Sequence, residues 1–268
     1  MQKDIHFYLT FALAKKAGIS EESAQKIAWA NQYTDDMTEP EEHEIQTQCG
    51  LAGNWADHQI QATVLVPFHF IPGKDNEHPW KTMPNNANAR RLVREGIKAG
   101  DPIQLGIALH GLQDTFSHQG FSGWKESLNS CFPWYYVTSA LPNVGHAEMR
   151  VVPDVVSQNW TDPRTNKKIS NKVRALSAAK ATLELLCKFS NEKDFAAKWL
   201  EAEPKLRTIF KATVYDARKE QLKILSGNKN IRYSEIRKNI EKNHKGDFIF
   251  AARRHLSVAM HMFKDYPY

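Results

Sequence analysis

The stretch "GIALHGLQDTFSHQGF", residues 106–121, places His110, Asp114 and His118 at two successive four-residue steps. In an α-helix each step rotates the side chain by only about 40° and advances it by about 6 Å, so the three side chains form one slanting row. The intervening residues are largely apolar, and burying imidazoles and a carboxylate there is costly unless each is paired or bound to a metal. The stretch therefore predicts either a hydrogen-bonded pair of Asp and His with an incidental third His, or a metal site.

Four other segments place His or Asp in apolar or structured surroundings. They are "DIHFYLTFALA" with His6, "AWANQYTDD" with Asp35 and Asp36, "VPFHFIPG" with His69, and "NVGHAEMRVVPD" with His146 and Asp154. Each has an ordinary explanation when taken alone, such as a helix end or a core histidine. Together with the row they supply five His and three Asp without a thiolate, a ligand set suited to zinc, with manganese or iron as alternatives.

Asp35 and Asp36 are adjacent, and only one of them is expected to belong to this ligand set. Asp35 lies on the helical face of Ala24, Ile27 and Asn31, whereas Asp36 follows Trp29 on another side of the helix. The helical period of 3.6 residues therefore favours Asp35.

Apolar periodicity and capping residues predict an all-α fold in a single domain of residues 1–268. Helix 102–118 carries the row and opens with Asp101 at the cap and Pro102 in the first turn. We expect a loop over 38–58 and a short strand or extended buried segment at "QATVLVPFHF". Residues 120–166 are rich in proline and aromatics, and such a long irregular stretch is functional or mobile. The other predicted helices are 3–18, 20–34, 86–99, 167–189, 192–203, 206–225, 232–244 and 246–263.

Charge divides the chain into an acidic half and a basic half. Residues 1–163 carry a net charge of −7 and residues 164–268 one of +13, within a total of +6. A basic half is compatible with a surface for nucleic acid or an anionic membrane. Because its Lys and Arg alternate with apolar residues at helical spacing, the solvated side of ordinary surface helices is the favoured interpretation.

The cysteines and the N-terminal segment bear on the compartment. The cysteines are Cys49, Cys131 and Cys187, an odd number that suits reduced thiols. "IHFYLTFALA" resembles a secretory segment, but Lys3 and Asp4 leave it without a clear positive excess and two lysines follow at once. We expect a cytoplasmic protein without a transmembrane segment, while secretion without a typical signal peptide stays open.

The order of these segments resembles the zinc-dependent phospholipase C superfamily, which includes the single-strand-specific zinc nucleases. That pattern has an N-terminal His, an Asp ending an early helix, a His in an "HF" or "HY" segment, a His-x-x-x-Asp helix, and later His and acidic ligands. The resemblance covers residues 1 to about 160 and is strongest to an uncharacterised bacterial branch. The matching positions are His6, Asp35, His69, His110, Asp114, His118, His146 and Asp154.

The resemblance implies a helical domain of the phospholipase C and nuclease type that binds two or three zinc ions. Asp35, His69, His110 and Asp114 would hold one ion, and Asp114 would bridge to a second one at His118, His146 and Asp154. The chain departs from the pattern at Arg150, which stands where a second acidic ligand is expected, so Asp154 or Glu148 must substitute.

The N-terminus departs from the pattern as well. The superfamily ligates a third metal through the amino group of an N-terminal Trp, which this chain lacks. Met1 precedes His6 by a similarly short distance. We therefore expect His6 to hold a labile third metal or to form hydrogen bonds within the cluster.

The implied activity is metal-dependent hydrolysis of a phosphoester, with Asp35 as the residue that orients the attacking water. The substrate would be a phosphate-containing small molecule, a lipid headgroup or a nucleic acid. Trp124, Trp134 or Trp160 could stack on it, although packing within the long loop is the favoured interpretation for any one of these rings. A His-Asp phosphohydrolase needs an adjacent His-Asp pair, which is absent, and a di-iron bundle needs two Glu-x-x-His motifs, of which there is one. The remaining alternative is a non-catalytic binding or effector protein with a structural metal.

Overall fold

Helices make up most of the structure, a computed structural model that describes residues 1–37, 45–48, 57–73, 75, 78–132 and 143–266. The π-helices are π1 (Asp4–Leu9) and π2 (Gln61–His69), and short 3-10 turns span Ser127–Asn129 and Ala147–Met149. The α-helices are α1 (Thr10–Lys16), α2 (Glu21–Asp36), α3 (His58–Ile60), α4 (Ala87–Ala99), α5 (Pro102–Ser117), α6 (Asn171–Ser190), α7 (Phe195–Ile209), α8 (Tyr215–Leu225) and α9 (Tyr233–Phe263). The predicted all-α class is confirmed, apart from one small hairpin.

Helix α5 is the central element of the fold. The Asp101 side chain accepts a hydrogen bond from the Ile103 N–H (2.9 Å), and Pro102 occupies the first turn, as the sequence predicts. Every residue from Ile103 to Ser117 is buried, because α2, α4, α6 and α9 pack around the helix. The polar row of α5 therefore faces the interior of the protein.

A glycine sets the close packing of α2 on α5. A Cβ at Gly106 would collide with the carbonyl oxygen of Ile27 and with Ala30, both on α2. The absence of a side chain at Gly106 therefore lets the two helix backbones approach each other, which brings Asp35 at the end of α2 beside the polar row.

The segment "QATVLVPFHF" is helical, and the expectation of a strand or an extended segment is wrong. Residues Gln61–His69 form π2, which is buried over Val64–His69 and closes with a hydrogen bond from the Phe70 N–H to the Leu65 carbonyl (2.8 Å). β-Branched and aromatic residues favour strands only weakly, and packing of π2 against α5 and α9 overrides that preference. π-Helical turns are rare and frequently occur at functional sites.

The C-terminal half also differs from the prediction at two helix ends. Helix α7 continues through Pro204, and α9 is one helix of 31 residues that passes through Gly246. The predicted breaks are wrong because the apolar residues on either side of each position pack on the core, which outweighs the local propensities. The irregular region before α6 contains an antiparallel hairpin of β1 (Asn159–Asp162) and β2 (Lys167–Ser170).

Many basic residues of this half pair with an acidic residue one turn away on the same helix. Examples are Lys188 with Glu184, Lys205 with Glu201 and Arg207 with Glu203. This arrangement is typical of the solvated side of surface helices.

Some predictions fall outside the described residues, namely most of the loop 38–58, Trp134 and Cys49. Cys131 and Cys187 are buried free thiols. Among the described helices, none combines the length and the apolar character that crossing a bilayer requires.

Candidate metal centre

The structure brings all eight predicted residues into one place, which we call the His/Asp cluster. His6 lies on π1, Asp35 near the end of α2 and His69 at the end of π2. The row His110, Asp114 and His118 lies at the C-terminal end of α5, and the loop between α5 and β1 supplies His146 and Asp154. Elements far apart in sequence therefore meet at the end of the central helix.

Asp114 is the shared carboxylate of the first part of the cluster. Its Oδ2 lies 3.2 Å from His110 Nε2 and 3.3 Å from His69 Nδ1, while its Oδ1 lies 3.3 Å from His6 Nε2. Asp35 faces the same imidazoles, with its Oδ1 3.6 Å from His110 Nε2 and 3.8 Å from His69 Nδ1. Asp35, His69 and His110 form one group whose ligand atoms are close enough to share an ion, and His6, His110 and Asp114 form a second group.

Asp36 points away from the cluster. Its carboxylate accepts a hydrogen bond from Gln32 Nε2 (3.1 Å) and lies 3.8 Å from both Lys3 Nζ and Arg237. The two adjacent aspartates therefore have separate partners, as the helical faces of α2 indicate.

His118, His146 and Asp154 form the third group. His118 Nε2 lies 3.1 Å from Asp154 Oδ1, and His146 Nε2 lies 3.3 Å from Asp154 Oδ2. The other acidic candidate, Glu148, instead accepts the backbone N–H groups of Cys131 (2.7 Å) and the following residue. Of the two acidic candidates, Asp154 is therefore the one that lies beside His118 and His146.

Each of the five imidazoles has one ring nitrogen hydrogen-bonded to a backbone carbonyl or amide oxygen and not to one of the three aspartates. The donors and acceptors are His6 Nδ1 to Gln113 Oε1 (2.9 Å), His69 Nε2 to the Thr47 carbonyl (2.7 Å), His110 Nδ1 to the Asn31 carbonyl (2.8 Å), His118 Nδ1 to the His69 carbonyl (2.8 Å) and His146 Nδ1 to the Arg150 carbonyl (2.8 Å). Such a bond fixes the tautomer and leaves the other nitrogen as a lone-pair donor. In every case that other nitrogen faces the carboxylates.

The polar residues behind the imidazoles were not predicted from the sequence. Gln113 is fully buried, accepts from His6 Nδ1 and from Asn31 Nδ2 (3.2 Å), and donates to Thr10 Oγ1 (2.8 Å) and Thr182 Oγ1 (3.2 Å). Its position three residues after His110 on a buried helix was the available signal, because an amide there needs partners as much as a carboxylate does.

The N-terminal amino group lies between the groups. The Met1 nitrogen is 2.5 Å from Asp114 Oδ1 and 3.2 Å from Asp154 Oδ1. Burial lowers the pKa of this amine, but the charges of Asp114, Asp154 and Asp35 outweigh burial and raise the pKa to about 11. In this structure an ammonium group therefore bridges the two carboxylates.

The environment shifts the pKa values of the cluster in different directions. Burial lowers the pKa of His110 to about 4 and also lowers the pKa of His6 and His146. Burial opposes ionisation of Asp114, but the Met1 ammonium and neighbouring imidazoles hold its pKa well below the usual range. The imidazoles of His6, His110 and His146 are therefore neutral at neutral pH, whereas Asp114 and Asp35 outweigh burial and raise the pKa of His69.

The cluster is partly open to solvent. The side chain of Asp35 is 30% exposed and that of Asp154 is 19% exposed, whereas Asp114 and His110 are fully buried. Water therefore reaches the cluster at Asp35 and Asp154, while its other side is enclosed by the core.

The predicted aromatic residues have other contacts. The Trp124 ring packs 5.2 Å from Trp80 and 4.7 Å from His58, and Trp160 Nε1 donates to Asn171 Oδ1 (3.0 Å). Trp124 also lines a small cavity of about 220 Å³ with Met260. These contacts are those of packing residues, so the expectation that Trp124 and Trp160 line the cleft has no support from their surroundings.

No curated protein and no solved structure matches the chain. A family model does match residues 1–263, nearly the whole length, and its description is "Family of unknown function (DUF6765)". The chain that carries this His/Asp cluster therefore belongs to the DUF6765 family.

Proposed function

We propose that this protein is a metal-dependent hydrolase of phosphoesters with a zinc cluster, and that its fold is of the phospholipase C and nuclease type. The observation that carries the proposal is the uniform orientation of the five imidazoles. Each donates one N–H outward and presents its other nitrogen to the three aspartates, as histidine ligands of metals do. The order of the ligands along the chain supports the proposed fold.

The donor atoms fit a cation. His6 Nε2 is buried without a hydrogen-bond partner, and His69 Nδ1 lies only 3.0 Å from His110 Nε2 although each ring already donates from its other nitrogen. At that distance the two nitrogens need a proton between them or a cation beside both, and the raised pKa of His69 shows that Asp114 and Asp35 favour positive charge at this point. Nitrogen and carboxylate donors without thiolate suit zinc, with manganese or iron as alternatives.

Asp35, His69, His110 and Asp114 would hold one ion, and His118, His146 and Asp154 a second. His6 and Asp114 would contribute to a third. When bound, such ions supply an activated water and neutralise charge on phosphoryl oxygens.

The side chains of the cluster would orient the attacking water and hold the imidazoles in a partly buried environment. Asp35 is the most exposed carboxylate of the cluster, so it is the group that would accept a proton from an attacking water and orient that water. Asp114 is buried among three imidazoles and acts as the fixed partner that holds them. The substrate is a phosphate-containing small molecule, a lipid headgroup or a nucleic acid.

The adjacent aspartates offer a matched test. Purified protein would be analysed for bound metals and assayed on phospholipid, nucleotide and generic phosphodiester and phosphomonoester substrates, with and without a chelator. Asp35→Ala should lower both metal content and activity, the activity by about 100-fold or more. Asp36→Ala should lower neither, because Asp36 contacts Gln32, Lys3 and Arg237 instead of the cluster.

Two outcomes would contradict the proposal. Equal metal content in the wild type, Asp35→Ala and His110→Ala would show that the metal lies elsewhere. Metal-loaded protein without activity on any of these substrates would favour the non-catalytic alternative, a binding or effector protein in which the metal is structural.

A further inference from the structure

The orientation of the buried Gln113 amide decides which ring nitrogen of His6 carries the proton. If Gln113 presents its oxygen to His6 Nδ1, that nitrogen must be protonated and Nε2 carries a lone pair toward Asp114, 3.3 Å away. If Gln113 presented its NH₂ group, His6 Nδ1 would accept and Nε2 would carry a proton toward the same carboxylate. Only the first arrangement makes His6 a metal ligand.

The amide of Asn31 does not settle this choice. Asn31 Nδ2 donates to Gln113 Oε1 (3.2 Å) and Thr10 Oγ1 (3.3 Å), and its own Oδ1 is buried without a hydrogen-bond partner. Reversing Asn31 and Gln113 together would therefore preserve a donor and an acceptor between them. Another residue must therefore fix the orientation of these two side-chain amides.

The hydroxyl proton of Thr10 is donated to a backbone carbonyl and not to Gln113. Its Oγ1 donates to the Ile5 carbonyl (3.2 Å), five residues back, which is the spacing of a π-helical turn. A hydroxyl has one proton, so the oxygen toward Gln113 and Asn31 can only accept. The nearest atom of Gln113, 2.8 Å away, must then be its NH₂ nitrogen.

We infer that Thr10, acting through Gln113, is the positioning residue that keeps His6 as an Nε2 ligand. Each hydrogen bond fixes the next: Thr10 donates to the Ile5 carbonyl, Gln113 Nε2 donates to Thr10 Oγ1, and His6 Nδ1 donates to Gln113 Oε1. All the polar side chains in this series are fully buried. The π-turn of π1 lets the hydroxyl reach the Ile5 carbonyl. The role in metal binding rests on the proposed function, whereas the tautomer of His6 does not.

The tautomer can be measured directly on the chelator-treated protein. Long-range proton–nitrogen NMR spectra at mildly alkaline pH distinguish a protonated Nδ1 from a protonated Nε2, and a His6→Gln variant assigns the signal. We expect wild-type His6 to carry its proton on Nδ1. A wild-type His6 signal from a protonated Nε2 would overturn the inference, whether or not the threonine variants fold.

Two threonines that accept hydrogen bonds from Gln113 provide matched variants. Thr10→Val removes the committed hydroxyl, so the amides can reverse and a protonated Nε2 should appear at His6. Thr182→Val removes the other acceptor of Gln113 Nε2 but leaves Thr10 in place, so the tautomer should not change. Thr10→Ser restores the hydroxyl and should restore Nδ1 protonation. A Thr10→Val spectrum identical to that of the wild type would also refute the inference.

Zinc titration separates this inference from the proposed function. Loss of a partner that orients a histidine ligand lowers metal affinity by about 10–100-fold, so Thr10→Val should weaken the most weakly held zinc by that factor and Thr182→Val should not. If the wild type bound no zinc while the tautomer results held, the proposed function would fail and the role of Thr10 in orienting His6 would stand.

Discussion

His255 on α9 should make the protein sensitive to mild acid through the helix that carries His69. Its ring is buried, donates from Nε2 to the Pro67 carbonyl of π2 (2.9 Å) and stacks on Phe68 at 4.9 Å. Burial lowers the pKa of His255 from 6.5 to about 4, against a smaller opposing effect of the hydrogen bond to Pro67. The folded protein therefore keeps this ring neutral in a range where an unfolded chain protonates it.

The direction and size of the effect follow from that difference. Above pH 6.5 both states are neutral and the stabilisation is complete, and it is lost as the pH falls toward 4 because only the unfolded state gains the proton. At 1.36 kcal/mol per pKa unit the full loss is about 3 kcal/mol, of which about 2 kcal/mol occurs between pH 7 and pH 5.

The measurement is denaturant unfolding at pH 7 and pH 5, with a chelator present so that metal occupancy does not change. His255→Gln keeps an N–H donor but cannot titrate, so its loss of stability between the two pH values should be smaller than that of the wild type by about 2 kcal/mol. The cluster histidines contribute equally to both proteins and cancel in the comparison. His261→Gln, at an exposed position of the same helix, should behave like the wild type. An equal loss in His255→Gln and the wild type would refute the reasoning.

Three further predictions concern packing, a buried ion pair and metal uptake. Gly106→Ala should destabilise the protein by about 1–3 kcal/mol because its Cβ collides with α2, whereas Gly246→Ala, with no neighbouring atoms within 4 Å, should stabilise α9 by about 0.5–1 kcal/mol. Equal effects in urea unfolding would contradict this. Arg218→Met leaves the buried Asp4 carboxylate, 2.6 Å from Arg218 Nε, without its partner and should cost about 3–5 kcal/mol. Arg232→Met, in an exposed pair, should cost less than about 1 kcal/mol, and a similar cost for both arginines would argue against the buried pair. Zinc uptake at neutral pH, measured by calorimetry in buffers of different ionisation enthalpy, should release few protons, because ligands must be deprotonated to bind and Asp114 and most of the cluster imidazoles already are. Release of one proton for each ligand would contradict binding at these groups.

The parts of the fold that sequence predicts are those set by local chemistry. Asp101 and Pro102 mark the start of α5 because a capping carboxylate and a fixed φ act within one turn. Asp35 could be distinguished from Asp36 because helical period alone decides which side chain faces inward. The row on α5 was visible because buried charge is costly in any fold.

The parts that sequence does not predict depend on distant packing. The helical form of π2 and the continuity of α9 through Gly246 are decided by contacts with other helices, which outweigh local propensity. The relation of Thr10 to Gln113 spans 103 residues and rests on a π-turn, so no spacing rule indicates it. The placement of Asp154 rather than Glu148 required the path of a loop.

A balance of donors and acceptors links the fold to the proposed chemistry. With one N–H of each imidazole directed outward, the inward surface of the cluster consists of five ring nitrogens and three carboxylates, all of which accept. Among the described residues, the donor that reaches two of these carboxylates is the Met1 amine. Burying so many acceptors with so few protons is unfavourable unless cations enter or some rings protonate. Since the outward bonds are made by backbone and buried amides of the folded core, folding itself creates the deficit of positive charge that a metal ion would relieve.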